Sequence, residues 1–160
     1  MDGRNLLIKK IVALTGGPRK SGNSNCMAYS FVAVAQNNGF DVTRFDTAFM
    51  HIRVCHACNQ CFSKEKACIF DDNFNKIVQN LLDADLIVIV FPVYWYIFPE
   101  QLKAAIDKMY SFFVAGKDFS GKQCVLIACR EEKTTDTFTG VKFAYEKIIE
   151  LMNCQSIVKF

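Results

Sequence analysis

Apolar and polar positions recur along the chain on two different periods, and the switches between them outline the fold. "IKKIVALTG", from Ile8 to Gly16, is a β-branched apolar run stopped by glycines and predicts a buried strand. Beyond it Asn23 or Ser24 suits a helix N-cap. Met27, Phe31, Val34 and Ala35 then recur on one helical face until "NNG", where Gly39 provides the stop. "FDVTRFD" alternates and predicts a second strand, and an irregular stretch from Ala48 to Ile69 follows. "DDNFNKIVQNLLDA" opens with acids suited to a helix start and sets Phe74, Ile77, Val78, Leu81 and Leu82 at helical spacing. "DLIVIVFP" is continuously apolar, the signature of a strand covered on both faces. "PEQLKAAIDKMYSFF" predicts one helix with Pro99 near its first turn, where a missing N–H costs nothing. "KQCVLIAC" predicts another buried strand, "DTFTGVKFAYEKIIELMN" a last helix starting as late as Gly140, and "QSIVKF" a short closing strand.

Strand and helix therefore alternate from end to end. That order implies parallel strands joined by right-handed crossovers, hence a three-layer α/β sandwich. The 160 residues suit a single domain, 1–160, and no repeat, linker or low-complexity tract divides them. With 51% hydrophobic and 22% charged residues the composition is globular, and fifteen phenylalanines predict an aromatic interior or exposed apolar faces. A net charge of +3 without a basic stripe gives no support for nucleic-acid or membrane-surface binding. "MDGRNLLIKKIVALTGG" does not read as a secretory signal, and "LIVIVFPVYWYIFP" is too short to span a bilayer, so a cytoplasmic protein is expected.

Two stretches carry candidate chemistry at the ends of strands. "TGGPRKSGNSN", Thr15 to Asn25, has Gly17 and Gly22 at the spacing of a nucleoside-triphosphate loop, with Ser24 at the hydroxyl position. The lysine of such a loop is replaced by Asn23. A glycine turn opening a helix still presents N–H groups and the positive helix end, so one terminal phosphate is the better fit. Arg19, Ser21, Asn23 and Ser24 offer charge, hydroxyls and an amide to it. The second stretch, "PVYWYIFP", crowds Tyr94, Trp95, Tyr96 and Phe98 where the central strand emerges. In open α/β sheets that edge carries the ligand, and these rings suit a flat aromatic group; some of them also suit the core.

"TGGPRKSGNS" resembles the "GSPRKNGNT" loop of flavodoxin-like NAD(P)H-dependent FMN reductases, and "FPVYWYIFPEQLKAAIDK" resembles their "SPVYFGSVSAQLKAFIDR" segment. The resemblance spans roughly Ile8 to Tyr110. It implies a five-stranded parallel sheet of order 2-1-3-4-5 and non-covalent FMN. Gly17, Arg19, Ser21, Asn23 and Ser24 would lie about the 5′-phosphate, and Pro92, Val93, Tyr94, Trp95 and Tyr96 against the isoalloxazine. Two departures stand out: Gly17 replaces a serine of the family, and Phe91 a small polar residue. The resemblance further implies NAD(P)H as electron donor and a homo-oligomer, with donor or acceptor a small molecule or a protein. In such enzymes the flavin supplies the chemistry, so no catalytic side chain is singled out.

The irregular stretch, about 52–69, holds Cys55, Cys58, Cys61 and Cys68 at C-x2-C-x2-C-x6-C spacing. Four thiolates so close can hold an iron–sulfur cluster or a zinc ion, or remain free. The spacing resembles the compact motif of iron–sulfur flavoproteins, a branch of the same family, which implies a [4Fe–4S] cluster exchanging single electrons with FMN. Three functions remain open. They are an NAD(P)H-dependent FMN reductase, an iron–sulfur electron carrier fed by ferredoxin, and a zinc or thiol redox sensor without enzymatic activity. Cys124 to Arg130 also satisfies the C-x5-R pattern of cysteine phosphatases, but its apolar, glycine-free interior cannot cradle a phosphate. His56 is expected to be exposed. Cys26, Cys124, Cys129 and Cys154 are expected to be small core residues.

Overall fold

A computed structural model describes residues 8–157. The chain runs β1 (Lys10–Thr15), α1 (Asn23–Asn37), β2 (Asp41–Asp46), α2 (Phe74–Asp83), β3 (Leu86–Pro92), α3 (Glu100–Lys108) and α4 (Tyr110–Val114). It continues through β4 (Gln123–Cys129), α5 (Thr139–Leu151) and β5 (Gln155–Ser156), with 3₁₀ turns at Thr47–Phe49 and Thr135–Phe138. All five strands are parallel, in the order β2-β1-β3-β4-β5, the flavodoxin-like arrangement. Of the closing "QSIVKF", residues 158–160 lie outside the described residues, and the described part of β5 is two residues long.

β3 is buried from Leu86 through Phe91, as its unbroken apolar run requires. Its alternate side chains serve two cores. Ile87, Ile89 and Phe91 join Val12 and Leu14 of β1 beneath Ile77, Leu81, Leu102, Phe112 and Tyr145 from the helices α2 to α5. Val88 and Val90 join Ile11 and Ala13 beneath Ala28 and Ala35 of α1. The α1 face differs from expectation: Val34 is 62% exposed, while the two alanines are buried. Small side chains let this helix lie close to the sheet, so its buried face is not its most hydrophobic one.

Two further differences are local. The helix expected over 99–113 is divided at Met109. Its N–H is shared between the Ala105 and Ile106 carbonyls, and its own carbonyl takes the Phe112 N–H at 2.9 Å, a tightened turn. The last helix starts at Thr139, ahead of Gly140, and is led in by the 3₁₀ turn.

Polar groups hold the strand ends. The Lys122 ammonium donates to the carbonyls of Leu82 (2.6 Å) and Ala84 (2.7 Å), capping the C-terminus of α2 with positive charge. The N–H groups of Lys9 and Lys10 both donate to Asp85 Oδ2 at 2.8 Å. The Lys10 N–H, helped by that of Lys9, holds the Asp85 carboxyl below its ordinary value despite partial desolvation. A carboxyl depressed in the folded state contributes stability above its unfolded pKa, about 4, and loses it as pH falls through the folded pKa. Asp85→Asn should therefore lower stability at neutral pH and flatten the acid limb of a stability-versus-pH curve, measured by urea unfolding between about pH 2 and 6.

Candidate functional site

The carboxyl ends of β1 and β3 meet at the point where the strand order reverses, and three connecting segments converge there. The first follows β1. The Gly16 N–H donates to the Val90 carbonyl at 2.9 Å, pinning the turn to β3. A Cβ on Gly17 would sit 2.5 Å from Ser24 Oγ, so the family's serine does not fit this loop as it is packed. The Gly22 N–H closes onto the Arg19 carbonyl at 2.9 Å, and α1 begins at once. No side chain of the N-cap residue bonds to α1 and its first turn holds no acid, so its positive end and its leading N–H groups, apart from that of Ser24, which meets the Cys129 thiol, remain available to an anion.

This turn is braced from behind by residues that the sequence reading passed over. Asn25, buried, donates its amide to the carbonyls of Gly17 (3.0 Å) and Arg19 (2.7 Å). Its own oxygen accepts from Arg44 Nη2 at 2.7 Å. Arg44 in turn donates to Asp46 Oδ1 at 2.7 Å and lies 4.0 Å from the centre of the Tyr29 ring. Asp46 also accepts the Thr15 hydroxyl at 2.5 Å. The end of β2 thus clamps the loop after β1. The available signal was an arginine inside an alternating strand, facing an asparagine in the first turn of a helix.

The second segment follows β3. Tyr94 and Ile97 exchange backbone hydrogen bonds at 3.1 and 2.9 Å, bracketing Trp95 at φ 46° and Tyr96 at φ 65°. Two left-handed residues in a two-residue turn normally mean Asn-Gly. Here they are aromatic, with Trp95 93% exposed. The N–H groups of Trp95 and Tyr96 are left over by that bridge. Gly140 at the start of α5 admits the turn: a Cβ there would stand 2.7 Å from the Tyr96 carbonyl oxygen. Phe98 is core, its ring centre 4.9 Å from that of Phe91.

The third segment follows β4 and brings in Cys129, Arg130, Glu131, Glu132 and Thr137, none expected from sequence at a ligand site. Arg130 donates from Nη2 to the Lys133 carbonyl at 3.1 Å, while its Nε and Nη1 are buried without hydrogen-bond partners among the described residues. Burial pushes the Cys129 thiol up although Ser24 hydrogen-bonds to it, so it stays protonated at neutral pH. Cys124 lies buried within β4, its thiol pushed up by its hydrogen bond with Cys154 and by burial, consistent with rejecting a phosphatase loop. Cys26, expected in the core, is exposed on α1 because the buried face of that helix is its alanine side.

Together the segments enclose about 740 Å³, within the range of small-molecule sites. Gly17, Arg19, Asn23 and Ser24 line one end. Pro92, Val93, Tyr94, Trp95 and Tyr96 line the other. Ser21 is exposed and outside the lining; its carbonyl faces the Cys26 thiol at 3.9 Å. Ser24 is 4% exposed, its hydroxyl turned toward Gly17 and Cys129.

Cys55, Cys58, Cys61 and Cys68 border a separate, smaller cavity beneath their loop, which Lys108 and Ser111 also line. The loop is folded tightly: Ala57, Asn59, Phe62 and Glu65 all have φ between 51° and 59°. It is anchored at its end by α2. The Asn75 amide donates to the Cys68 and Phe70 carbonyls at 3.1 Å, and its oxygen accepts the Cys68 N–H at 2.9 Å. Asp72 accepts the Arg53 and Phe74 N–H groups at 2.9 Å and pairs with the Lys108 ammonium. Burial, then the neighbouring Cys58, Cys55 and Cys68, push the Cys61 thiol up. Among the described residues no three His, Cys, Asp or Glu side chains are drawn together closely enough to hold a metal ion. His56 is exposed, its ring centre 5.2 Å from that of Phe70, and His51 is exposed as well.

Among the described residues no helix is long and apolar enough to cross a membrane. Residues 9–134 match the family described as NADPH-dependent FMN reductase. The chain is 33% identical over 119 residues to an iron–sulfur flavoprotein of Methanosarcina thermophila, covering 72% of this chain and 59% of that protein. It is 29% identical over 140 residues to an iron–sulfur flavoprotein of Archaeoglobus fulgidus, covering 87% and 69%. The chain thus spans roughly half to two-thirds of the length of the curated relatives it matches. An azoreductase from Bacillus anthracis str. Sterne superposes with a TM-score of 0.72 at 17% identity, over 94% of this chain and 86% of that one. For an NAD(P)H:quinone oxidoreductase from Methanothermobacter marburgensis the values are 0.70, 15%, 93% and 80%. The fold is shared with these enzymes, and the chain belongs to the NADPH-dependent FMN reductase family, in its iron–sulfur flavoprotein branch.

Proposed function

We propose that this chain binds FMN in the large cavity and passes electrons from NAD(P)H through it to an acceptor. One observation carries the reading: a single cavity joins an uncapped helix N-terminus, lacking the triphosphate lysine, to an exposed aromatic turn. The first N–H groups of α1, with Arg19, Asn23 and Ser24, hold the phosphate. The rings of Tyr94, Trp95 and Tyr96 cover the flat group, and the leftover N–H groups of Trp95 and Tyr96 serve its polar edge. Arg130 adds a positive charge and two unpaired buried donors, which favours an anionic form of the ligand. Bound flavin supplies hydride acceptance and one- or two-electron delivery. Cys129, the thiol of this cavity, stays protonated and plays no nucleophilic part.

Trp95 is the one tryptophan, so its fluorescence reports on this turn alone. Adding FMN to flavin-free protein should quench it saturably at one equivalent; no quench and no flavin retention would reject the reading. Trp95→Ala should raise the FMN dissociation constant about five- to tenfold, the worth of one aromatic contact near 1 kcal/mol, measured by flavin fluorescence. Bleaching of the flavin band by NADPH, NADH or reduced ferredoxin identifies the donor.

The cysteine loop supports a second, narrower reading as an iron–sulfur electron carrier. Its donor set is complete in number and softness, all four cysteines line one cavity, and the buried Lys108 and Ser111, whose hydroxyl has no hydrogen-bond partner among the described residues, line it too. Cys55, Cys58, Cys61 and Cys68 would hold a cluster, which supplies one-electron transfer when bound. Anaerobic purification with iron, sulfide and flavin analysis tests it: acid-labile sulfide supports the carrier, and one zinc without flavin supports the sensor. Exposed Tyr110, Phe113, Phe143 and Leu151 favour a homo-oligomer, which light scattering on a sizing column would report.

A further inference from the structure

Ser111 lies in α4, 3% exposed, and its hydroxyl has no hydrogen-bond partner among the described residues. A helical serine usually satisfies itself on a carbonyl one turn back, and a buried one left unpaired costs the native state stability. Ser111 lines the same cavity as the four loop cysteines. Lys108, three residues earlier, also lines it and is 3% exposed. Its ammonium is fixed by Asp72, which spends one of its three donors. A buried hydroxyl without a hydrogen-bond partner among the described residues and a buried ion pair therefore border the cavity that the four cysteines line. The unpaired hydroxyl asks for an acceptor, and the Lys108 ammonium, although neutralised by Asp72, keeps donors for the same group.

We infer that Ser111 donates a hydrogen bond to a thiolate-ligated metal group held by Cys55, Cys58, Cys61 and Cys68. The inference rests on the reading that this loop binds such a group. Metal-bound thiolates are strong acceptors, and outer hydrogen bonds to them raise metal affinity and, in redox centres, the reduction potential. Ser111 is a tuning residue on this account. It moves no proton, and the flavin cavity is lined by other residues.

The test uses Co²⁺ as probe, titrated anaerobically into the full chain, with the thiolate-to-cobalt absorption read in wild type, Ser111→Ala and Ser111→Thr. Ser111→Ala should raise the cobalt dissociation constant about tenfold, and Ser111→Thr, which keeps the hydroxyl, should stay near wild type. Without metal, Ser111→Ala should melt about 2–4 °C higher, because an unpaired buried hydroxyl has been removed. A serine with a purely structural role would, on removal, lower the melting temperature and the cobalt affinity together, or change neither. After reconstitution with iron and sulfide, Ser111→Ala should have a lower reduction potential, because the lost hydrogen bond favours the more negative, reduced form. Equal cobalt affinity in wild type and Ser111→Ala overturns the role of Ser111 while leaving the loop as a metal site. Absence of any thiolate–cobalt absorption in wild type overturns the metal reading itself, and the inference with it.

Discussion

Asn25→Ala should weaken FMN binding about 30- to 100-fold while the protein stays folded. The amide spans two carbonyls of the phosphate turn, those of Gly17 and Arg19, and its oxygen holds Arg44. Alanine leaves all three without these partners in a half-buried setting, and each unsatisfied group costs about 1–3 kcal/mol. A loop that escapes this cost by loosening must be re-ordered when the phosphate arrives. A penalty of about 2–2.8 kcal/mol on binding gives the stated loss. Quenching of Trp95 fluorescence measures the affinity, and circular dichroism checks the fold. Unchanged affinity would mean that the turn holds its shape without the brace from β2. Arg44→Ala should reproduce part of the effect, because Arg44 reaches the turn only through Asn25 and Asp46.

Asp72→Ala should cost about 3–5 kcal/mol of unfolding free energy, a large fraction of the 5–15 kcal/mol typical of a domain. The Lys108 and Asp72 side chains are 2% and 0% exposed, so the mutation strands an ammonium in the interior. It also frees the N–H groups of Arg53 and Phe74. Urea unfolding followed by circular dichroism gives the value. The double variant Asp72→Asn, Lys108→Met should recover much of the loss, because replacing a buried pair with neutral groups is nearly neutral where breaking it is not. If the double variant is as unstable as the single one, packing rather than uncompensated charge governs this position.

The elements of this fold were legible wherever one period dominates a long stretch. β3 is continuously apolar and proved buried along its length, and α2 buries Phe74, Ile77, Val78 and Leu81 as their spacing demands. Periodicity misled where small residues do the packing: α1 turns Ala28 and Ala35 inward and leaves Val34 in solvent. The break at Met109 was hidden because nothing in "PEQLKAAIDKMYSFF" interrupts the helical pattern. Glycine spacing and aromatic crowding marked two walls of the ligand cavity. The third wall, with Arg130, was screened off by its place inside an unproductive C-x5-R match. The brace through Asn25 and Arg44 joins residues nineteen apart in sequence, and its one signal, a charged residue inside an alternating strand, does not name the partner. Short motifs report which backbone is bare; they do not report what holds it still.

Trp95 and Tyr96 occupy conformations that glycine or asparagine would take with less strain, at roughly 1 kcal/mol or more per residue. Directed evolution for heat resistance would accordingly be drawn to these two codons first. It would return a sturdier protein whose lip had lost its rings, so hardening this protein and keeping the grip on a planar guest proposed for it pull the same two positions in opposite directions.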